Sequence, residues 1–126
     1  MGNPPVEPNK NRSFLVRLGF AFDGVVAAWN RERSFRTQVL IGAGALIFAL
    51  LLRPGWIWVA LVALSVGTVL AAELVNSAFE AMLDRLHPEI APQIKLAKDI
   101  AAAAVLVAAL AALAIALALL LQLFFG

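Results

Sequence analysis

The feature that constrains this chain most is a set of three long runs without a charged side chain. They cover residues 37–52, 56–72 and 100–126 of a sequence of 126 residues. A helix that crosses a bilayer needs about 20 predominantly apolar residues. The composition agrees, because 63% of the residues are hydrophobic and 14% are charged, against about 45–50% and about 25% in soluble domains. We therefore expect an all-α membrane protein.

Breaks between these runs predict the order of the elements. Ser13 is a plausible N-cap for an amphipathic surface helix from Phe14 to about Asn30, and Pro-Gly and His-Pro steps end later helices. We expect one domain over 13–126, with spans at about 34–52, 56–86 and 94–124, after a disordered polar tail at 1–12. The second span would measure about 46 Å at 1.5 Å per residue, against a hydrocarbon core of about 30 Å. Its C-terminal third should therefore lie at or beyond one membrane face.

Several kinds of chemistry are excluded by residues that the sequence lacks. There is no Cys, one His (His87) and no Gly-rich phosphate loop, so thiolate sites, multi-His metal sites and a P-loop are ruled out. Although ten residues are basic, the net charge is only +2, and a nucleic-acid partner is not expected. Nine of the ten basic residues lie before the charge-free run 37–52 or between the runs 56–72 and 100–126. By the positive-inside rule, that side and the N-terminus are cytoplasmic.

The most informative polar residues form one stripe on the second span. Glu73, Asn76, Ser77, Glu80 and Asp84 fall within about 100° of the helix surface at 100° per residue. A carboxylate at membrane depth costs about 2.5–3.5 kcal/mol on insertion scales and usually faces a protein interior or a functional site. Mg²⁺ between the carboxylates would relieve their repulsion. The stripe therefore predicts a site rather than packing alone.

Further charged residues are expected at the same membrane face. Glu32 begins the first span at a similar depth, and Lys95, Lys98 and Asp99 lie one short loop beyond the stripe. Carboxylates for a metal, lysines for phosphate and a deep carboxylate for a base are the components of phosphoryl transfer. Taken alone, Asp84 is more simply a solvated rim residue, and Lys98 a lysine that snorkels to the interface.

Residues 73–84, which read ELVNSAFEAMLD, closely resemble the signature of the prokaryotic diacylglycerol kinase family. Two further blocks support the resemblance in the same order: Ala27-Ala28-Trp29 with Glu32 and Phe35-Arg36, and Ala97-Lys98-Asp99 with residues 103–106. The resemblance implies a homotrimer with active sites shared between neighbouring subunits at the inner membrane of a bacterium. It also implies that ATP with Mg²⁺ phosphorylates the hydroxyl of a membrane lipid.

The resemblance implies a role for each matching residue. Glu73 matches the general base and Asn76 a polar residue of the active site. Glu32 and Glu80 match the carboxylates that bind Mg²⁺. Nucleotide contacts are implied for Lys98, Asp99 and Glu89.

The acceptor and the overall role leave alternatives. Diacylglycerol is the expected acceptor, but residues 11–15 and 95–104 look more like the undecaprenol kinase branch of the family. A non-catalytic subunit of a membrane complex is an alternative from another class. An ion or proton conduit is less favoured, because no charge lies in the outer half of any expected span.

Overall fold

Four α-helices make up the fold of this chain. The computed structural model describes Gly2, residues 13–89 and residues 91–126. These residues form α1 (Phe14–Arg31), α2 (Arg33–Leu52), α3 (Trp56–Leu86) and α4 (Pro92–Phe125). The predicted all-α class is confirmed over these residues. The tail at 1–12, which we expected to be disordered, lies outside the described residues except for Gly2.

The first helix begins where its capping residue predicts. Ser13 has an extended backbone, and its hydroxyl accepts a hydrogen bond from the Val16 backbone N–H at 3.4 Å, which satisfies one of the free donors of the first turn. Large apolar side chains of α1, among them Phe14, Leu15 and Phe22, are exposed. Apolar exposure along a helix with interleaved charges is typical of a helix that lies in the membrane interface.

The other three helices are long and apolar enough to cross a membrane. A tight turn joins α2 to α3, with Arg53 in the left-handed region at φ 51° and Gly55 at φ 108°. Glycine suits the second position because a side chain there would be strained. We expected the last helix to begin near Ile94, but it begins at Pro92. Proline is favoured in the first turn, where its missing N–H has no partner to lose.

The third helix is the centre of the bundle and packs against both α2 and α4. Ala49, Val62 and Leu119 form a buried cluster from these three helices. Because α3 has 31 residues and α2 only 20, the C-terminal part of α3 extends beyond the start of α2. The short helix α1 packs against this extension. This region comprises α1, the C-terminal end of α3 and the starts of α2 and α4. We call it the polar end.

Gly42 marks a close approach between α2 and α3. A Cβ atom added there would lie 2.5 Å from Cγ1 of Val66, whereas a Cβ at Gly44 would have nothing within 4 Å. Of these two glycines, only Gly42 allows close packing of the helices within this chain. Overpacking of this kind costs about 1–3 kcal/mol.

We therefore expect Gly42→Ala to lower the free energy of unfolding by about 1–3 kcal/mol relative to Gly44→Ala. Both changes replace glycine with a better helix former, so their difference isolates the contact with Val66. Titration of the detergent-solubilised protein with sodium dodecyl sulfate measures it. Equal unfolding free energies for the two variants would show that the helices do not meet at Gly42.

Candidate active site

Glu32 forms a one-residue corner between α1 and α2. Its backbone is extended, at φ −112° and ψ 106°. Its N–H donates to the Ala28 carbonyl at 2.8 Å, and its carbonyl accepts from the Arg36 N–H at 3.2 Å. The Arg36 side chain also donates to the Trp29 carbonyl at 2.6 Å, where a cation is favoured by the helix C-terminus. The position of Glu32 is therefore fixed by hydrogen bonds on both sides of the corner.

A cleft of about 290 Å³ lies between α1 and α3 beside this corner. Glu32 and Arg31 line one side, and Ser77 of α3 lies on the other. Most of the remaining lining consists of Gly and Ala, such as Gly24 and Ala78, which keeps the cleft open. Two members of the expected site, Glu32 and the polar face of α3, thus border one space.

Glu73 is the most deeply buried charged residue that the structure describes, with 4% of its surface exposed. Ser34, in the first turn of α2, holds it from the neighbouring helix. The Ser34 hydroxyl lies 2.7 Å from Oε1 and 2.8 Å from Oε2 of the carboxylate. Since a buried polar group without a partner is costly, this contact makes the burial of Glu73 tolerable.

Asn76, one turn beyond Glu73, has a buried amide oxygen without a hydrogen-bond partner. Among the described residues, Asn76 Oδ1 is the single buried side-chain polar atom in this condition. Such atoms are rare in folded proteins and call for a partner outside the chain. The oxygen can accept a hydrogen bond from a substrate, a water molecule or another subunit.

Lys98 joins the start of α4 to the acidic stripe. Its ammonium group forms an ion pair with Oδ1 of Asp84 at 2.5 Å, and the charge of Glu80 acts on the same group. The Lys98 side chain is 35% exposed and that of Asp84 is 65% exposed, so the pair contributes little to stability. The pair matters for the position of Lys98, because it holds the ammonium group beside the carboxylates of Asp84 and Glu80.

The remaining candidates lie nearer the surface of the polar end. Asp99 pairs with Lys95 at 2.6 Å, one turn apart on α4. Glu89 lies in the segment between α3 and α4, with its carboxylate 3.3 Å from His87 Nδ1. Hydrogen bonds from its own backbone amide and from His87 lower the pKa of Glu89 below its usual range. Glu89 is therefore ionised at neutral pH and can act as an acceptor.

The oxygen donors of the polar end fit Mg²⁺ better than a metal that prefers nitrogen or sulfur. Glu32 and Glu80 are hard carboxylate ligands. No group of three or more His, Cys, Asp or Glu side chains that could hold a metal occurs within the described residues. Mg²⁺ is commonly bound by one or two carboxylates together with substrate phosphates and waters. These residues therefore fit a metal that arrives with a nucleotide, as opposed to a permanent protein cage.

The structure brings Lys98 to the acidic stripe, whereas Asp99 and Glu89 pair with residues of their own segments. Lys98 faces the stripe, as we expected, and Asp84 is its partner. Ser34 was not among the expected residues, although it makes the two shortest contacts to Glu73. Nearly equal numbers of residues separate Ser34 and Glu73 from the turn at Arg53 and Gly55. Because α2 and α3 run antiparallel from that turn, this equal spacing could have indicated that Ser34 and Glu73 lie at the same level.

Three membrane-spanning helices, a surface helix and a cluster of carboxylates at one end define a small membrane protein with a polar site at one face. The chain belongs to the prokaryotic diacylglycerol kinase family, whose model matches residues 19–120. This confirms the family predicted from residues 73–84. It also confirms the class of enzyme, a kinase with an alcohol acceptor.

Proteins from several bacteria are similar to this chain over most of its length. The diacylglycerol kinase of Escherichia coli (strain K12) is 36% identical over 93 residues, which are 74% of this chain and 76% of that protein. The diacylglycerol kinase of Helicobacter pylori (strain J99) is 30% identical over 122 residues, or 97% of this chain and 94% of that protein. The diacylglycerol kinase of Pseudomonas aeruginosa is 37% identical over 110 residues, covering 79% and 85%.

Proposed function

We propose that this chain transfers the γ-phosphoryl group of ATP to the free hydroxyl of diacylglycerol, which gives phosphatidic acid and ADP. The observation that carries the proposal is the buried carboxylate of Glu73 on a membrane-spanning helix, in a chain of the prokaryotic diacylglycerol kinase family. Glu73 directly follows the charge-free run 56–72 of α3, and therefore lies at the edge of the apolar part of this helix. A lipid can therefore present its hydroxyl to Glu73 from within the membrane.

Glu73 acts as the general base in this proposal. Its carboxylate takes the proton of the lipid hydroxyl while the hydroxyl oxygen bonds to the γ-phosphorus. The bond from that phosphorus to the bridging oxygen breaks, and the electron pair leaves with ADP. Positioned bases contribute about 10²–10⁴-fold to such reactions. The hydrogen bond to Ser34 leaves lone pairs on both carboxylate oxygens for the incoming proton.

Glu32 and Glu80 would hold Mg²⁺ through their carboxylate oxygens. Mg²⁺ bound there would neutralise the negative charge of the ATP phosphates. Glu32 supports this assignment because hydrogen bonds fix its corner, and it borders the cleft that Ser77 lines from α3. Glu80 lies one turn beyond Ser77 on the same helix.

Lys98, Asp99, Glu89 and Asn76 would bind and orient the substrates. Lys98 supplies a point charge for phosphate, and its ion pair with Asp84 and the nearby charge of Glu80 support a position beside one of the two proposed metal ligands. Asp99 and Glu89 can accept hydrogen bonds from hydroxyl or amino groups of the nucleotide. The unpartnered amide oxygen of Asn76 is an acceptor for a hydroxyl close to Glu73.

We further propose a homotrimer in the bacterial inner membrane with the polar end in the cytoplasm. Of the eight basic residues that the structure describes, all except Arg53 lie on the side of the polar end, which supports this orientation. Large apolar side chains are exposed along all three spanning helices of the single chain. Because the chain has no Cys, single introduced cysteines and impermeant thiol reagents can measure the orientation. Labelling of the Ser13→Cys variant in intact cells would contradict it.

The proposal is tested with purified protein, radiolabelled ATP and Mg²⁺ in mixed micelles. Diacylglycerol and undecaprenol are supplied in parallel reactions at equal mole fraction. We expect label to enter phosphatidic acid at a rate well above that with undecaprenol. Preferential labelling of undecaprenol would change the acceptor, and no transfer to either lipid would favour a non-catalytic subunit of a membrane complex.

A further inference from the structure

We propose that Ser34 is a positioning residue for the reaction, because it orients the Glu73 carboxylate from the neighbouring helix. The Ser34 hydroxyl lies within 2.8 Å of both carboxylate oxygens. Within the described part of the chain, Glu73 makes no other side-chain hydrogen bond. This inference rests on the proposed function, in which Glu73 is the general base.

A serine hydroxyl suits a carboxylate that changes its protonation state in each reaction cycle. It donates a hydrogen bond to the ionised carboxylate before the reaction and can accept one from the carboxylic acid afterwards. Its single proton is attracted by both oxygens at similar distances, which holds the plane of the carboxylate. A cationic partner would stabilise only the ionised form and would oppose proton uptake.

Among the described residues, the Ser34 hydroxyl has no hydrogen-bond partner other than Glu73. Ser34 is exposed and lies in the first turn of α2, but no side chain caps that helix. Thr37, one turn later, behaves differently, since its hydroxyl donates to the Arg33 carbonyl of its own helix at 3.1 Å. The Ser34 hydroxyl makes no hydrogen bond within α2 and contacts the buried carboxylate of Glu73. We therefore assign its role to the positioning of Glu73.

Three variants test the assignment: Ser34→Ala, Ser34→Thr and Thr37→Ala. We expect Ser34→Ala to lower kcat about tenfold, which corresponds to about 1.4 kcal/mol of barrier. The KM for ATP should stay within about twofold of the original value, because in this proposal Ser34 acts only through Glu73. Ser34→Thr keeps a hydroxyl at the same atom and should retain most of kcat. Thr37→Ala removes a hydroxyl of the same helix that does not reach Glu73 and should leave kcat unchanged.

The outcomes separate this inference from the proposed function. If Ser34→Ala retains the original kcat while Glu73→Gln is inactive, the positioning role is wrong and the proposed function stands. If Glu73→Gln is active, Glu73 is not the general base, and the inference fails together with that assignment. A rise in kcat on Ser34→Ala would also overturn the inference, since it would mean that the serine competes with the lipid hydroxyl for Glu73. Loss of kcat in Ser34→Ala with recovery in Ser34→Thr supports it.

Discussion

Replacement of Glu73 by Gln is expected to lower kcat by about 10²–10⁴-fold, the usual contribution of a positioned general base. The amide has nearly the shape of the carboxylate and keeps an oxygen that can accept the Ser34 hydroxyl, but it cannot take a proton from the lipid. The measurement is the initial rate of phosphatidic acid formation at saturating ATP and lipid. The KM for ATP should change little, because the proposed role of Glu73 is to take the proton of the lipid hydroxyl and not to bind the nucleotide.

A matched control for this variant is Asp23→Asn, which converts an exposed acid of α1 to its amide. It removes the same charge from the chain and should leave turnover within about twofold. The unfolding midpoint of Glu73→Gln should be equal to or above that of the original protein, because a buried charge is removed. Near-normal turnover of Glu73→Gln would contradict the assignment of Glu73 as base.

The second large effect is expected for Glu80→Gln, which removes one of the two proposed Mg²⁺ carboxylates. Because a bound metal contributes several kcal/mol of charge stabilisation, we expect kcat/KM for ATP to fall by about 100-fold, or about 2.7 kcal/mol. The Mg²⁺ concentration that gives half of the maximal rate should rise. The measurement is a Mg²⁺ titration of the rate at fixed ATP.

The response to added Mg²⁺ distinguishes the two variants. Excess Mg²⁺ should restore part of the activity of Glu80→Gln and none of that of Glu73→Gln, since only the first loses affinity for the ion. An unchanged Mg²⁺ titration in Glu80→Gln would show that this carboxylate does not bind the metal. Reconstituting the two inactive variants together tests the shared site, because recovery of turnover requires residues from different subunits.

The arrangement of the helices was accessible from the sequence because the membrane imposes simple rules. Three charge-free runs and the breaks at 53–55 and 87–92 predicted all three spans, and the capping role of Ser13 was confirmed. The excess length of the second span predicted that α3 continues past the membrane, and the structure has α3 extending beyond α2 in this way. The start of α4 at Pro92 was missed because proline can either end a helix or begin one.

The contacts within the site were less accessible, since they depend on how the helices are rotated about their axes. The periodicity of α3 indicated that Glu73, Glu80 and Asp84 share a face, but not which neighbour each one meets. Glu73 meets Ser34 of α2, and Asp84 meets Lys98 of α4. The corner at Glu32 contains neither Gly nor Pro, so the break that we expected between Asn30 and Ser34 could not be narrowed to one residue. The roles of the site residues stay predictions.

The depth of Glu73 has a consequence for how the enzyme would be assayed. A base that directly follows the charge-free run 56–72 of a spanning helix meets its lipid in the plane of the bilayer, not in water. The relevant substrate concentration is then a mole fraction of the membrane, and diluting the lipid with an inert phospholipid should slow the reaction at constant bulk lipid. ATP, by contrast, reaches the site from the aqueous phase, where its concentration is expressed per volume. This chain would thus be an enzyme with one substrate counted per area and the other per volume.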